Sequence, residues 1–143
     1  MCWWRIKKLI YGEPIPKEWQ KVDYTFILEK LLEVFPFAKI YLSDRYYYTC
    51  PKLDIATFLV DDKTDQQKYQ TEVFDCDDFS FRLMGQFHTK PYSSLAFGIA
   101  WSRSHAYNIV VVTSEGVFLI EPQSDVVFKP NSDSTYKTEL III

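Results

Sequence analysis

The chain has 143 residues with a net charge of -3, a pI near 5.4, 48% hydrophobic and 17% aromatic residues. That is enough apolar material for one packed domain, so a disordered chain is excluded. The acidic balance argues against a nucleic-acid surface, which needs a basic field, and no apolar run approaches the roughly 18 residues of a membrane span.

Residues 1 to 22 hold Gly12, Pro14 and Pro16 and read as an extended, aromatic-rich arm packed on the body. The opening Met1-Cys2-Trp3-Trp4-Arg5-Ile6-Lys7-Lys8 places its lysines after the aromatics and has no small-residue cleavage site, so it does not read as a signal peptide. Asp23 suits an N-cap, and Ile27, Leu28, Leu31, Leu32 and Phe35 recur at helical spacing until Pro36. The β-branched and aromatic stretch from Ala38 to Thr49, with Ser43-Asp44 as a turn, predicts two short strands. Leu53 to Val60 could be helix or buried strand, and Pro51 with Asp54 favours helix.

A polar loop over residues 61–70 leads to a helix from Cys76 to about Phe87. Four strands follow at Leu95 to Trp101, His105 to Thr113, Val117 to Glu121 and Val126 to Lys129, with the short connections of an antiparallel meander. The stretch 130–138 is polar and reads as a loose tail, whereas Leu140-Ile141-Ile142-Ile143 is too apolar for water and should dock on the body or a partner. We therefore expect one α+β domain over 1–143: a helical and mixed part (1–71), a motif region (72–129) and a tail (130–143).

Three cysteines without a CxxC pair argue against a disulfide framework or structural zinc and point to a reducing, cytoplasmic setting. Cys76 stands among Asp75, Asp77 and Asp78 at a predicted helix start; the helix dipole favours its thiolate, whereas the carboxylates oppose it. An imidazolium at His105, or a divalent cation on the aspartates, would relieve that conflict, and hard oxygen ligands suit calcium, magnesium or manganese. The structural alternative is that Asp75 is a cap, Asp77 and Asp78 are first-turn acids and Cys76 is a buried packing residue.

His105 heads an apolar strand and Glu121 ends the next, so thiol, imidazole and carboxylate follow in the order of a cysteine nucleophile, its base and an orienting acid. With Thr113 opposite Val117, Glu121 would face Ile109 on the same side as His105, but about 13 Å along the strand from it. Asn108 points to the other face and ranks below Glu121 as the orienting group. Gln123 is a site residue or a solvent-facing amide, and His88 is assigned no role.

Phe74-Asp75-Cys76-Asp77-Asp78-Phe79-Ser80, His105-Ala106-Tyr107-Asn108 and Leu119-Ile120-Glu121-Pro122-Gln123 together resemble a papain-like, calcium-dependent cysteine protease domain, that of the C-terminal part of the Marasmius oreades agglutinin and its bacterial and phage relatives. More distantly, the order resembles transglutaminase-like cysteine peptidases. The similarity covers roughly residues 72 to 128. It implies Cys76 as nucleophile, His105 as general base and acid, Glu121 as the orienting acid, and Asp77 and Asp78 as ligands of Ca2+ or Mn2+. No glutamine stands ahead of Cys76 to complete an oxyanion hole.

The expectation is thus a papain-like cysteine hydrolase acting on a peptide or protein substrate, its nucleophile helix lying on an antiparallel sheet, with a homodimer possible through the apolar C-terminal end. The main rival is a binding or structural module, phage-related, that keeps the fold without turnover. A metal-dependent hydrolase using the aspartates themselves ranks last.

Overall fold

The computed structural model describes residues 14–143; the expected arm from Met1 to Glu13 lies outside the described residues. From residue 14 onward the arm carries Trp19 into the core and becomes strand β1 (Gln20–Asp23). Asp23 then caps helix α1 (Tyr24–Val34), its Oδ1 accepting from the Phe26 amide at 3.1 Å. Ile27 and Leu31, one turn apart, are the residues this helix buries.

Strands β2 (Lys39–Tyr41) and β3 (Tyr46–Thr49) form where the β-branched and aromatic run predicts two strands, but they do not pair with each other. β3 pairs antiparallel with β1, whereas β2 joins the main sheet. Pro51 starts helix α2 (Lys52–Asp61). Helix α3 (Cys76–Phe87) follows the polar loop, with Asp78 Oδ2 accepting from the Asp75 amide at 3.2 Å across its first turn.

Strands β4 (Phe97–Trp101), β5 (Ala106–Val112), β6 (Gly116–Glu121) and β7 (Val126–Phe128) make the expected meander. The C-terminal apolar run is strand β8 (Leu140–Ile142), inserted between β2 and β4. The main sheet has six strands in the order β2-β8-β4-β5-β6-β7 and is mixed, because β2 and β8 run parallel. This corrects the antiparallel sheet of the expected papain-like or transglutaminase-like core: the meander is antiparallel, but β2 joins through a parallel pairing. The N-terminal half supplies a sheet strand as well as helices, and the end of the described chain is an interior strand of that sheet.

β5 is buried along its whole length because both its faces are covered. Val110 and Val112 pack with Leu83 and Phe87 of α3 and with Ile55 and Leu59 of α2. Tyr107, Ile109 and Val111 pack on the other face with Ile27 and Leu31 of α1. α2 and α3 thus lie on one side of the sheet and α1 on the other.

Candidate functional site

The β4–β5 turn builds one rim of the sheet. Ser102 is buried there; its amide donates to the His105 carbonyl at 2.9 Å and its Oγ accepts from the His105 amide at 3.1 Å. These bonds fix the backbone from which the imidazole projects.

Glu121 reaches that imidazole through a change of register. The loop between β5 and β6 spans residues 113 to 115, with Ser114 and Gly116 at positive φ (63° and 76°) and Val112 opposite Gly116. The pairing is therefore offset from the expected one, and Asn108 faces Ile120. Continuing this register sets Glu121 opposite Tyr107, two residues from His105 and so about 7 Å along the strand. A diagonal neighbour at that offset is within reach of long side chains. His105 Nε2 and Glu121 Oε2 lie 2.7 Å apart, both side chains largely buried.

Tyr136 completes this group. It lies in a short 3-10 turn, Ser134–Tyr136, of the stretch expected to be loose, and its hydroxyl donates to the same Oε2 at 3.1 Å. Its ring packs edge-on against His105, Tyr107 and Phe128. Burial pushes the Glu121 carboxyl up, but the bonds and charge from His105, the Gln123 amide and the Tyr136 hydroxyl outweigh it, leaving the group below the usual carboxylate range. Burial and the nearby Glu121 charge push Tyr136 up to about 12, so it stays a neutral donor. Gln123 belongs to this group too, through its amide to Glu121 Oε1 at 3.4 Å. The tail reading of residues 130–138 hid Tyr136; an aromatic residue inside a polar stretch was the available signal.

Cys76 opens α3 and is half-buried. Ser80, one turn on, donates through Oγ to the Cys76 carbonyl at 2.8 Å, and Asn108 Nδ2 donates to the Ser80 carbonyl at 3.0 Å. Asn108 thus bonds backbone and stands apart from the His105–Glu121 pair, as its opposite orientation predicts. α3 packs on the α2 side of the sheet, while His105 and Glu121 belong to the α1 side with Tyr107 and Tyr136. Among the described residues the Cys76 thiol makes no hydrogen bond to His105 or Glu121. The structure joins two of the three expected residues directly and leaves the third on the neighbouring helix end.

The aspartates divide. Asp75, Cys76 and Asp77 each bring a ligand atom within 4.8 Å of the other two. A hydrogen bond between the Asp77 and Asp75 side chains holds the Asp75 carboxyl low; the same bond, burial and the Asp75 charge push Asp77 up. Two carboxyls this close are a set of hard oxygen ligands that suits a dication. Asp78 is turned to the helix cap. Of the aromatics near the motifs, Phe79 and Tyr107 are fully buried core residues, whereas Trp101 meets the exposed Phe81 edge-on at the rim. His88 bonds the Met84 carbonyl of its own helix end.

Residues 27–143 match the family model of the ricin-type beta-trefoil lectin C-terminal domain, and the chain belongs to that family. Among solved structures, one described as "PSL1a-E64 complex" superposes with a TM-score of 0.71 at 21% identity, over 86% of this chain and 50% of that one. The Polyporus squamosus lectin, described as bound to a human-type influenza-binding epitope, Neu5Aca2-6Galb1-4GlcNAc, superposes with a TM-score of 0.68 at 24% identity, over 86% of this chain and 49% of that one. The chain spans about half the length of these structures. No curated protein matches it in sequence.

These matches overturn the papain-like or transglutaminase-like assignment of the fold, which is that of the lectin C-terminal domain. They likewise correct the expected cysteine hydrolase: the family and the matched Polyporus protein are lectins, and the glycan is named in the description of the latter. The binding-module reading is the one that agrees with them. Among the described residues, no helix is long and apolar enough to cross a membrane.

Proposed function

We propose that this chain is a glycan-binding module of a lectin-type protein, its C-terminal domain, and that its relatives include the Marasmius oreades agglutinin. The observation that carries this reading is the family match over residues 27–143. The six-stranded mixed sheet with helices on both faces fits a domain that accompanies a trefoil, rather than a trefoil itself.

Two surface features suit binding. A groove of about 540 Å³ is lined by Phe35, Phe37, Asn131, Ser134 and Tyr136, mixing the exposed Phe37 ring and the half-buried Phe35 and Tyr136 rings with hydroxyl and amide groups, the combination that takes a saccharide ring. Tyr136 links that groove to the His105–Glu121 pair. In this reading Cys76, His105 and Glu121 are site residues at the sheet rim. Asp75 and Asp77 would hold Ca2+ or Mn2+, Asp78 bracing the helix end beside them, and the cation would neutralise the first turn of α3.

The test is a glycan array probed with the purified chain, together with iodoacetamide kinetics at Cys76. The reading expects retention on glycans, alkylation no faster than that of an ordinary exposed cysteine, and calcium that changes only thermal stability. Absence of retention, with alkylation accelerated by calcium and slowed by His105→Ala, would overturn it.

A further inference from the structure

The end of α3 closes over a second cavity, of about 210 Å³, where Phe87 meets Leu95, Phe97 of β4 and Ile142 of β8. Phe87, Leu95 and Phe97 are buried core residues, and the half-buried Met84 adds its thioether to the wall. The interior is thus apolar and largely aromatic, with a soft sulfur that favours a further ring beside it. An apolar cavity of about 150 Å³ takes a benzene molecule, so this one has room for a phenyl ring and a short aliphatic arm.

The rim differs in kind from the walls. Ser43, Asp44, His88 and Ser93 line the same cavity and are exposed. The Tyr47 hydroxyl fixes one side of it, accepting from the Asp44 amide at 2.8 Å and donating to the Ile143 carbonyl at 3.2 Å. On the other side His88 Nδ1 donates to the Met84 carbonyl at 2.8 Å, which leaves Nε2 of the neutral ring as an acceptor. Among the described residues, Asp44 is the one acidic group lining the cavity, no lysine or arginine lines it, and the Asp44 carboxylate enters no ion pair or hydrogen bond. The adjacent Arg45 stands over the Tyr46 ring instead, 5.5 Å from its centroid. An aromatic pocket with a negative mouth complements a cation carried on an apolar body and repels an anion.

We propose that this cavity is a binding site for a small arylalkyl primary amine, its ring among Met84, Phe87 and Phe97, its ammonium on the Asp44 carboxylate, and His88 Nε2 a second acceptor. The cavity shares no lining residue with the Tyr136 groove and lies at the other end of α3 from Cys76. It therefore stands whether or not the chain binds glycans.

The experiment is titration of the full chain with phenethylamine, followed by calorimetry and by methyl NMR. One equivalent should bind, and the Met84 and Ile142 methyl resonances should shift as it does. Ethylbenzene and phenylacetate keep the ring but lose or reverse the charge, and each should bind at least tenfold more weakly. Asp44→Asn should weaken the amine at least fivefold and leave ethylbenzene unchanged, its melting temperature reporting whether the fold is intact. No saturable binding of the amine, equal affinity for phenylacetate, or shifts confined to methyls outside the cavity would overturn the site. Undiminished affinity in a folded Asp44→Asn variant would do the same.

Discussion

A β-carbon on Gly98 would land on the carbonyl oxygen of Ile142, with Ile143 Cγ1 2.7 Å away. Gly98 lies in β4 where β8 packs against it, so the obstacle is backbone and cannot rotate aside. Gly98→Ala should therefore force β8 outward and destabilise the domain by about 3 kcal/mol, the upper part of the range for overpacking. Chemical denaturation of the variant against the parent measures it, and a change below about 0.5 kcal/mol would show that the two strands can separate freely.

Phe87 is the aromatic hinge between α3 and the sheet. Its ring stacks on Phe97 at 3.8 Å between centroids and meets Phe58 of α2 at 3.9 Å. Phe87→Ala should lower stability by about 3–5 kcal/mol through lost burial and the cavity left behind. Phe87→Leu should recover most of that loss. Urea unfolding of the three proteins provides the comparison.

The two described cysteines should differ in reactivity. Burial, followed by the Asp54 charge, pushes the Cys50 thiol up to about 12, so it stays neutral and shielded in the native state. Cys76 is only half-buried. Alkylation at pH 8 followed by peptide mapping should label Cys76 in the folded protein and Cys50 only after denaturant is added. Labelling of both at similar rates without denaturant would contradict this packing.

Glu121 sets an acid limit on stability. Its carboxyl is held below its ordinary value of 4.5 in the folded state. The stabilisation is therefore fully present above that ordinary value and lost as pH falls through the lower folded value. Glu121→Gln should be less stable than the parent at pH 6, by about 1–2 kcal/mol for the charge-assisted bonds removed, and the gap should close towards pH 3. Tyr136→Phe, which deletes one donor to the same oxygen, should narrow the parent's pH dependence. A gap that stays constant between pH 6 and 3 would place the effect elsewhere.

Local pattern carried much of the architecture. The cap at Asp23, the spacing of Ile27 and Leu31, and the alternation of apolar strands with short turns predict α1, α3 and the four meander strands closely, because each depends on residues near in sequence. The pairing of Lys39–Tyr41 with Leu140–Ile142 was not legible: its two halves are far apart in the chain, and each alone reads as a short apolar run. At the site, the side chains on one face were readable from period-two alternation. The His105–Glu121 contact depended on where the Ser114 turn closes, which moves the register and brings the carboxylate within reach. The motifs around Cys76, His105 and Glu121 resemble the C-terminal part of a lectin, and the lectin C-terminal domain is the family that residues 27–143 match; the hydrolysis read from the same cysteine, histidine and glutamate pattern is what the match overturns.

The place of β8 between β2 and β4 has a consequence for synthesis. A nascent chain emerging from the ribosome makes β2 roughly a hundred residues before its parallel partner exists, and loop closure over that span is slow. Until Leu140–Ile142 clears the exit tunnel, β2 has no neighbour and the outer edge of β4 stays open to other chains. Chaperone protection should therefore matter most over this interval, between the emergence of β2 and that of β8.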